Sequence, residues 1–204
     1  MKQFSGFTGE RSKKGYPMLP AGPYVGKIMN VKLDGLEPDQ TLILLLDVTE
    51  GDHISYYAKR FAHDDKSYNE GKSKYPAKYK GTLYLRIPNE NSKKSMYPES
   101  DLRIFNDAIA CIQASNPGYT WDWNEAGLKG LTVGFSVRQG TYNDSQFTKI
   151  FKLEDANDVR MGKVEVMTPM APRSDAAEPV GAVYQPPATQ QMNYTQVQTD
   201  ELPF

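Results

Sequence analysis

Apolar and polar residues alternate with a period of two over much of the first half of the chain. From Tyr24 to Leu33, Val25, Met29, Val31 and Leu33 fall on one side and polar or small residues on the other, which predicts a strand. Gly26 within it permits a bend or close packing. Asp34-Gly35 opens a turn. Thr41 to Val48 predicts a second strand, with Leu42, Leu44, Leu46 and Val48 on one face and Ile43 and Leu45 partly covering the other. Glu50-Gly51-Asp52 is a tight turn, and the aromatic-rich stretch Ile54 to Phe61 predicts a third strand. Residues 62–80 are polar, basic and Tyr-bearing, which predicts a long loop, and Thr82 to Ile87 adds one more short strand.

The period then changes. Between Ser100 and Ala114, Leu102, Phe105, Ile109 and Ile112 recur every three or four residues, with Ile104, Ala108 and Cys111 widening the stripe. Pro98 and Asn116-Pro117-Gly118 bound the predicted helix. Leu131 to Val137 alternates again, with Leu131, Val133, Phe135 and Val137 inward. Gln139 to Ser145 predicts a hairpin loop, Gln146 to Leu153 the return strand, and Asp155 to Gly162 a helical turn. The expected class is therefore mainly β. The order of elements matches a five-stranded OB-fold barrel with one α-helix between strands 3 and 4 and a long basic loop insertion. Another small β-barrel with a helical insertion fits the same pattern.

Punctuation by Gly6, Gly9, Gly15, Pro17 and Pro20 makes residues 1–20 an irregular arm, and residues 21–167 the expected domain. From Thr168 the chain is rich in Pro and Gln without apolar periodicity. Such a segment buries too little surface to offset its ordering entropy, so residues 168–204 are expected to form a disordered tail.

Charge refines this picture. The net charge is -1, so no global basicity marks a polyanion binder. The tail holds one base, Arg173, against Asp175, Glu178, Asp200 and Glu201, which leaves the body slightly positive. The excess concentrates between Asp52 and Tyr97, where seven of the chain's 13 tyrosines also lie. Single strands are bound by stacking bases on rings while cations track phosphates. Candidate single-stranded DNA contacts are Tyr56, Tyr57, Lys59, Arg60 and Phe61 on the third strand, then Tyr75, Lys78, Tyr79 and Lys80 in the loop, then Tyr84 and Arg86. Alternate aromatics on a strand also fill cores, and that alternative stays open for each ring. A second candidate is the last hairpin, where Tyr142 at the tip with Arg138 and Lys149 at its flanks would clamp a strand; an ordinary turn fits equally. Trp121-Asp122-Trp123 is better read as sealing the helix against the barrel.

Catalytic signals are poor. Gly71-Lys72-Ser73 lacks the earlier glycine of a phosphate loop, since Lys66 stands there. Cys111 is the single cysteine, so no intramolecular disulfide or thiolate zinc cluster forms, and His53 and His63 alone make a poor metal site. Asp64-Asp65 reads as a polar loop pair. No enzyme activity and no cofactor are expected. Met1-Lys2-Gln3-Phe4 opens no signal peptide and no apolar run reaches membrane-spanning length, so a soluble, cytoplasmic protein is expected.

The chain ends Asp200-Glu201-Leu202-Pro203-Phe204. Such a tip places its ring in an apolar pocket while a partner's bases pair with Asp200, Glu201 and the terminal carboxylate. It resembles the tail of bacterial single-stranded DNA-binding protein, where the acidic tip recruits replication, repair and recombination enzymes. Over about residues 4–167 the body instead resembles single-strand-binding proteins of phages and prophages of Gram-positive bacteria. The matching stretches are Leu19-Pro20-Ala21-Gly22-Pro23-Tyr24-Val25, Ser115-Asn116-Pro117-Gly118-Tyr119-Thr120-Trp121-Asp122-Trp123, Leu128-Lys129-Gly130 and Val159-Arg160-Met161-Gly162. The resemblance implies an OB-fold and single-strand binding without base chemistry, in phage replication or recombination. It implies no individual DNA contact. A non-DNA adaptor, whose domain and tail each bind a protein, is the alternative that near-neutral charge keeps open.

Overall fold

The computed structural model describes residues 16–92, 98–143 and 145–172. The expected partner-binding tip Asp200–Phe204 and the rest of the tail from Arg173 lie outside them. Five antiparallel strands form one sheet: β1 (Gly22–Asp34), β2 (Thr41–Val48), β3 (Thr82–Arg86), β4 (Thr132–Tyr142) and β5 (Ser145–Glu154). Three α-helices join them: α1 (Tyr56–Asn69), α2 (Pro98–Ser115) and α3 (Ala156–Arg160). The sheet order is β3-β2-β1-β4-β5. β3 and β5 run close to each other but share no ladder, so the sheet is not a closed barrel.

Leu42, Leu44, Leu46 and Val48 of β2 all turn inward, as their alternation predicts. β1 departs from its pattern. A register shift between Ile28 and Asn30 buries Ile28 and leaves Met29 half exposed. Long β1 therefore pairs with β4 through its first half and with β2 through the rest. Val133, Phe135 and Val137 of β4 meet Ile150 and Leu153 of β5 in the core. The last two strands run further toward each other than the predicted loop allows, meeting at Tyr142 and Ser145.

α2 lies between β3 and β4 in sequence, where a helix is expected. Phe105, Ala108, Ile109 and Ile112 are its buried stripe, while Leu102 and Ile104 face outward. Pro98 starts it without losing a helical hydrogen bond, and Glu99 and Asp101 complement the N-terminal dipole. Asn116 ends it, donating to the carbonyls of Ile112 and Thr132.

The principal correction concerns Ile54 to Phe61. This stretch is no strand; it turns into α1, which takes up the first half of the predicted loop. The cause is tertiary. Ser55 precedes the helix in a left-handed conformation and makes no side-chain cap. The cap comes from β2 instead. Asp47, 3 % exposed, accepts the backbone N–H of Tyr57 at 2.9 Å and of Ala58 at 3.1 Å. A buried carboxylate thus meets the positive end of the helix and satisfies donors that are otherwise orphaned. Tyr56 and Tyr57 turn inward as a consequence. Tyr56 accepts from Leu19 N–H and donates to the Pro17 carbonyl, which ties the irregular stretch 16–20 to α1 and buries Leu19 completely. Tyr57 lies over Gly81, where a Cβ would meet its ring at 2.6 Å. Packing also continues past the expected domain end at 167, since Met170 N–H donates to the Gln139 carbonyl. Among the described residues no helix is long and apolar enough to cross a membrane.

Candidate nucleic-acid interface

Once α1 is a helix, Arg60, His63, Asp64, Ser67 and Glu70 fall on one stripe at three- and four-residue spacing. The chain then doubles back through residues 72–80, and an open cleft of about 1170 Å³ forms between stripe and returning segment. Lys66 and Lys72 border it, and Tyr75, Lys78 and Lys80 line the returning side. Small-molecule pockets are mostly apolar and enclosed. This cleft is open and lined by charge, which suits an extended, charged ligand.

Its two acids are already engaged. Glu70 meets Lys72 at 2.6 Å and Lys66 at 3.8 Å, and the Lys72 ammonium holds its carboxyl below the usual carboxylate range. Asp64 lies 3.9 Å from Arg60. Lys78 and Lys80 form no ion pair among the described residues, while Arg60 is engaged, its Nε by Asp64 and its Nη1 as donor to the Tyr56 hydroxyl at 3.3 Å. Tyr75 is 70 % exposed, with the Lys74 ammonium 5.6 Å from its ring centre. Exposed ring and unpaired cations are the ingredients of single-strand binding.

The structure therefore brings Arg60, Tyr75, Lys78 and Lys80 together and separates the other candidates from them. Tyr56 and Tyr57 are core residues and present no ring to a ligand. Burial pushes the Tyr57 phenol far above its ordinary range. Tyr79 is half-buried, donates to the Leu46 carbonyl at 3.0 Å, and has its phenol raised by burial, with Asp47 adding to the shift. Phe61, just over one-third exposed, lies tilted against Tyr79 with ring centres 6.1 Å apart, and the Lys59 ammonium donates to the Ile54 carbonyl.

A second patch lies on the sheet. Lys32, Ile43 and Tyr84 stand directly opposite one another across β1, β2 and β3. Alternation turns this row away from the core, and Tyr84 is 66 % exposed. Arg86, two residues on, reaches Asp101 of α2 at 3.4 Å, so it braces helix to sheet.

The third patch is the β4–β5 hairpin. Arg138 lies opposite Lys149, Gly140 opposite Phe147, and Tyr142 opposite Ser145, all on one face. Sequence reasoning missed Phe147 and Phe151, both over one-third exposed here. Period two from Lys149 would have placed them beside it. The Arg138 guanidinium sits 4.9 Å above the Phe151 ring. Trp121 is half-buried against Phe105, in keeping with a sealing role, but Trp123 is 66 % exposed with φ at 64°.

Among the described residues no group of three or more His, Cys, Asp or Glu is placed to hold a metal ion. No model of a known protein family matches the chain, and no curated protein is detectably similar to it.

Proposed function

We propose that this chain binds single-stranded DNA without sequence preference and recruits partner proteins through its C-terminal tip. The cleft between α1 and residues 72–80 is the observation that carries the reading. Its free cations, Lys78 and Lys80, face a ligand that must bring negative charge, and exposed Tyr75 offers a π-face that any base can use. The sheet order, with α2 between β3 and β4 and with β3 beside β5, supports an OB-like architecture, a partly open Greek-key barrel whose second and third strands present ligand-binding faces. In that frame the Lys32–Ile43–Tyr84 row is a further contact surface. The sequence resemblance to phage single-strand-binding proteins points the same way and suggests protection of exposed strands in replication or recombination.

A fluorescence-quenching titration with oligo-dT, against duplex of equal length, tests the proposal. Binding to dT should be tighter, and affinity should fall as salt rises because phosphate contacts release counterions. Equal affinity for both, or none for either, would sink it and leave the adaptor class standing.

A further inference from the structure

The β4–β5 hairpin carries two cations directly opposite each other, Arg138 and Lys149, and neither meets a carboxylate among the described residues. Like charges so placed destabilise a sheet unless something negative lies against them. What lies there is the chain itself. Arg138 Nε donates to the Thr168 carbonyl at 2.6 Å, and Nη2 reaches the Pro169 carbonyl at 3.5 Å. Met170 N–H donates to the Gln139 carbonyl at 2.8 Å, along the edge of β4 beyond its pairing with β1. The Met170 methyl reaches the Gly140 and Phe147 surface, since a Cβ on Gly140 would stand 2.7 Å from that methyl and 2.6 Å from the Phe147 ring.

The guanidinium and methyl contacts have counterparts in a nucleotide. The two carbonyl oxygens take the guanidinium donors that phosphate oxygens take, and the methionine methyl stands beside the Phe147 ring, on which a base can stack. We infer that Thr168–Met170 is a strap that occupies a nucleotide-binding face of the hairpin, and that a bound single strand displaces it. The inference rests on the single-strand reading above. It makes the hairpin's affinity conditional, because binding there is weakened by the fraction of molecules in which the strap is closed.

Amide exchange at Met170, read by NMR with and without saturating oligo-dT, tests this directly on the full chain. Protection in the free protein and faster exchange with dT are expected. Met170→Ala should bind dT roughly three- to ten-fold tighter, through loss of the competing closed state. An amide that exchanges at the unprotected rate in the free protein overturns the strap. Binding of dT with Met170 equally protected, and no gain in Met170→Ala, overturns its displacement while leaving the cleft reading intact. No dT binding by either protein sinks the proposed function and displacement with it, even if Met170 is protected.

Discussion

Asp47→Ala is the sharpest test of how the cleft is built. The carboxylate is almost completely buried and accepts three backbone donors, from Val48 at 2.9 Å, Tyr57 at 2.9 Å and Ala58 at 3.1 Å. Alanine removes the only side-chain cap of α1. Loss of an N-cap costs about 0.5–2 kcal/mol. Each buried donor left without a partner adds about 1–3 kcal/mol, less wherever water enters the vacated space. We expect about 3 kcal/mol in all, a sum of these terms discounted for hydration. For a chain of this size that lowers Tm by about 6–12 °C. Asp47→Asn keeps the Oδ1 that serves Val48 and Tyr57 but turns an amide N–H₂ toward the Ala58 N–H, so its loss should be intermediate. Urea denaturation of the three proteins gives the energies. Amide exchange at Tyr57 and Ala58 shows whether the loss is local to α1, and dT affinity below the transition shows whether the cleft goes with it. A loss under about 1 kcal/mol for Asp47→Ala, within the range of a minor cap, would refute the argument that β2 holds this helix in place.

Tyr57→Phe should leave dT affinity unchanged and stability within about 0.5 kcal/mol of wild type, because its hydroxyl is buried without a hydrogen-bond partner; a marked loss of affinity measured by titration would return Tyr57 to the interface. Replacing Lys78 and Lys80 together by alanine should weaken dT binding and flatten the slope of log K against log salt by about 1.4, two phosphate contacts at about 0.7 each. An unchanged slope would remove the cleft from the path of the strand. Burial raises the Cys111 thiol from 9.0 to about 11, with Glu154 and Asp155 adding to the shift, so the folded state keeps this proton longer than the unfolded chain. The stabilisation is complete below the unfolded value and is lost as pH rises from about 9 to about 11. Urea midpoints across that window should fall more steeply for wild type than for Cys111→Ala, and parallel curves would contradict the assignment.

Local periodicity carried β2, α2 and the final hairpin, because each of these buries one face and the burial writes its period into the residues. It failed at Ile54 to Phe61 for an identifiable reason. Tyr56, Tyr57 and Phe61 have the composition of a strand, and the group that starts the helix is Asp47, on another element. A stripe at 60, 63, 64, 67 and 70 was present in the sequence but polar, so it did not register as a face. That one error misassigned two rings to the ligand and split the cleft, whose other wall was read as the Tyr75–Lys80 loop. The β1 shift at Ile28 has the same character: a bulge obeys the neighbouring strand β4 and the turn before it, not the alternation of β1. Phe147 and Phe151 are legible in the sequence, since they stand two residues to either side of Lys149 and period two puts all three on one face.

The sheet's two outer strands lie near each other without a ladder, and α2 packs against both. Nothing in the backbone bonds β3 to β5 there, so the seam is held by side chains alone and should be where the molecule breathes first. Cys111 sits on it, half-buried, with its thiol 3.7 Å from the Leu153 carbonyl of β5. The rate at which a thiol reagent finds this one sulfur is therefore a clock for the parting of the two edges. A ligand that draws β3 and β5 together would slow it without ever touching the cysteine.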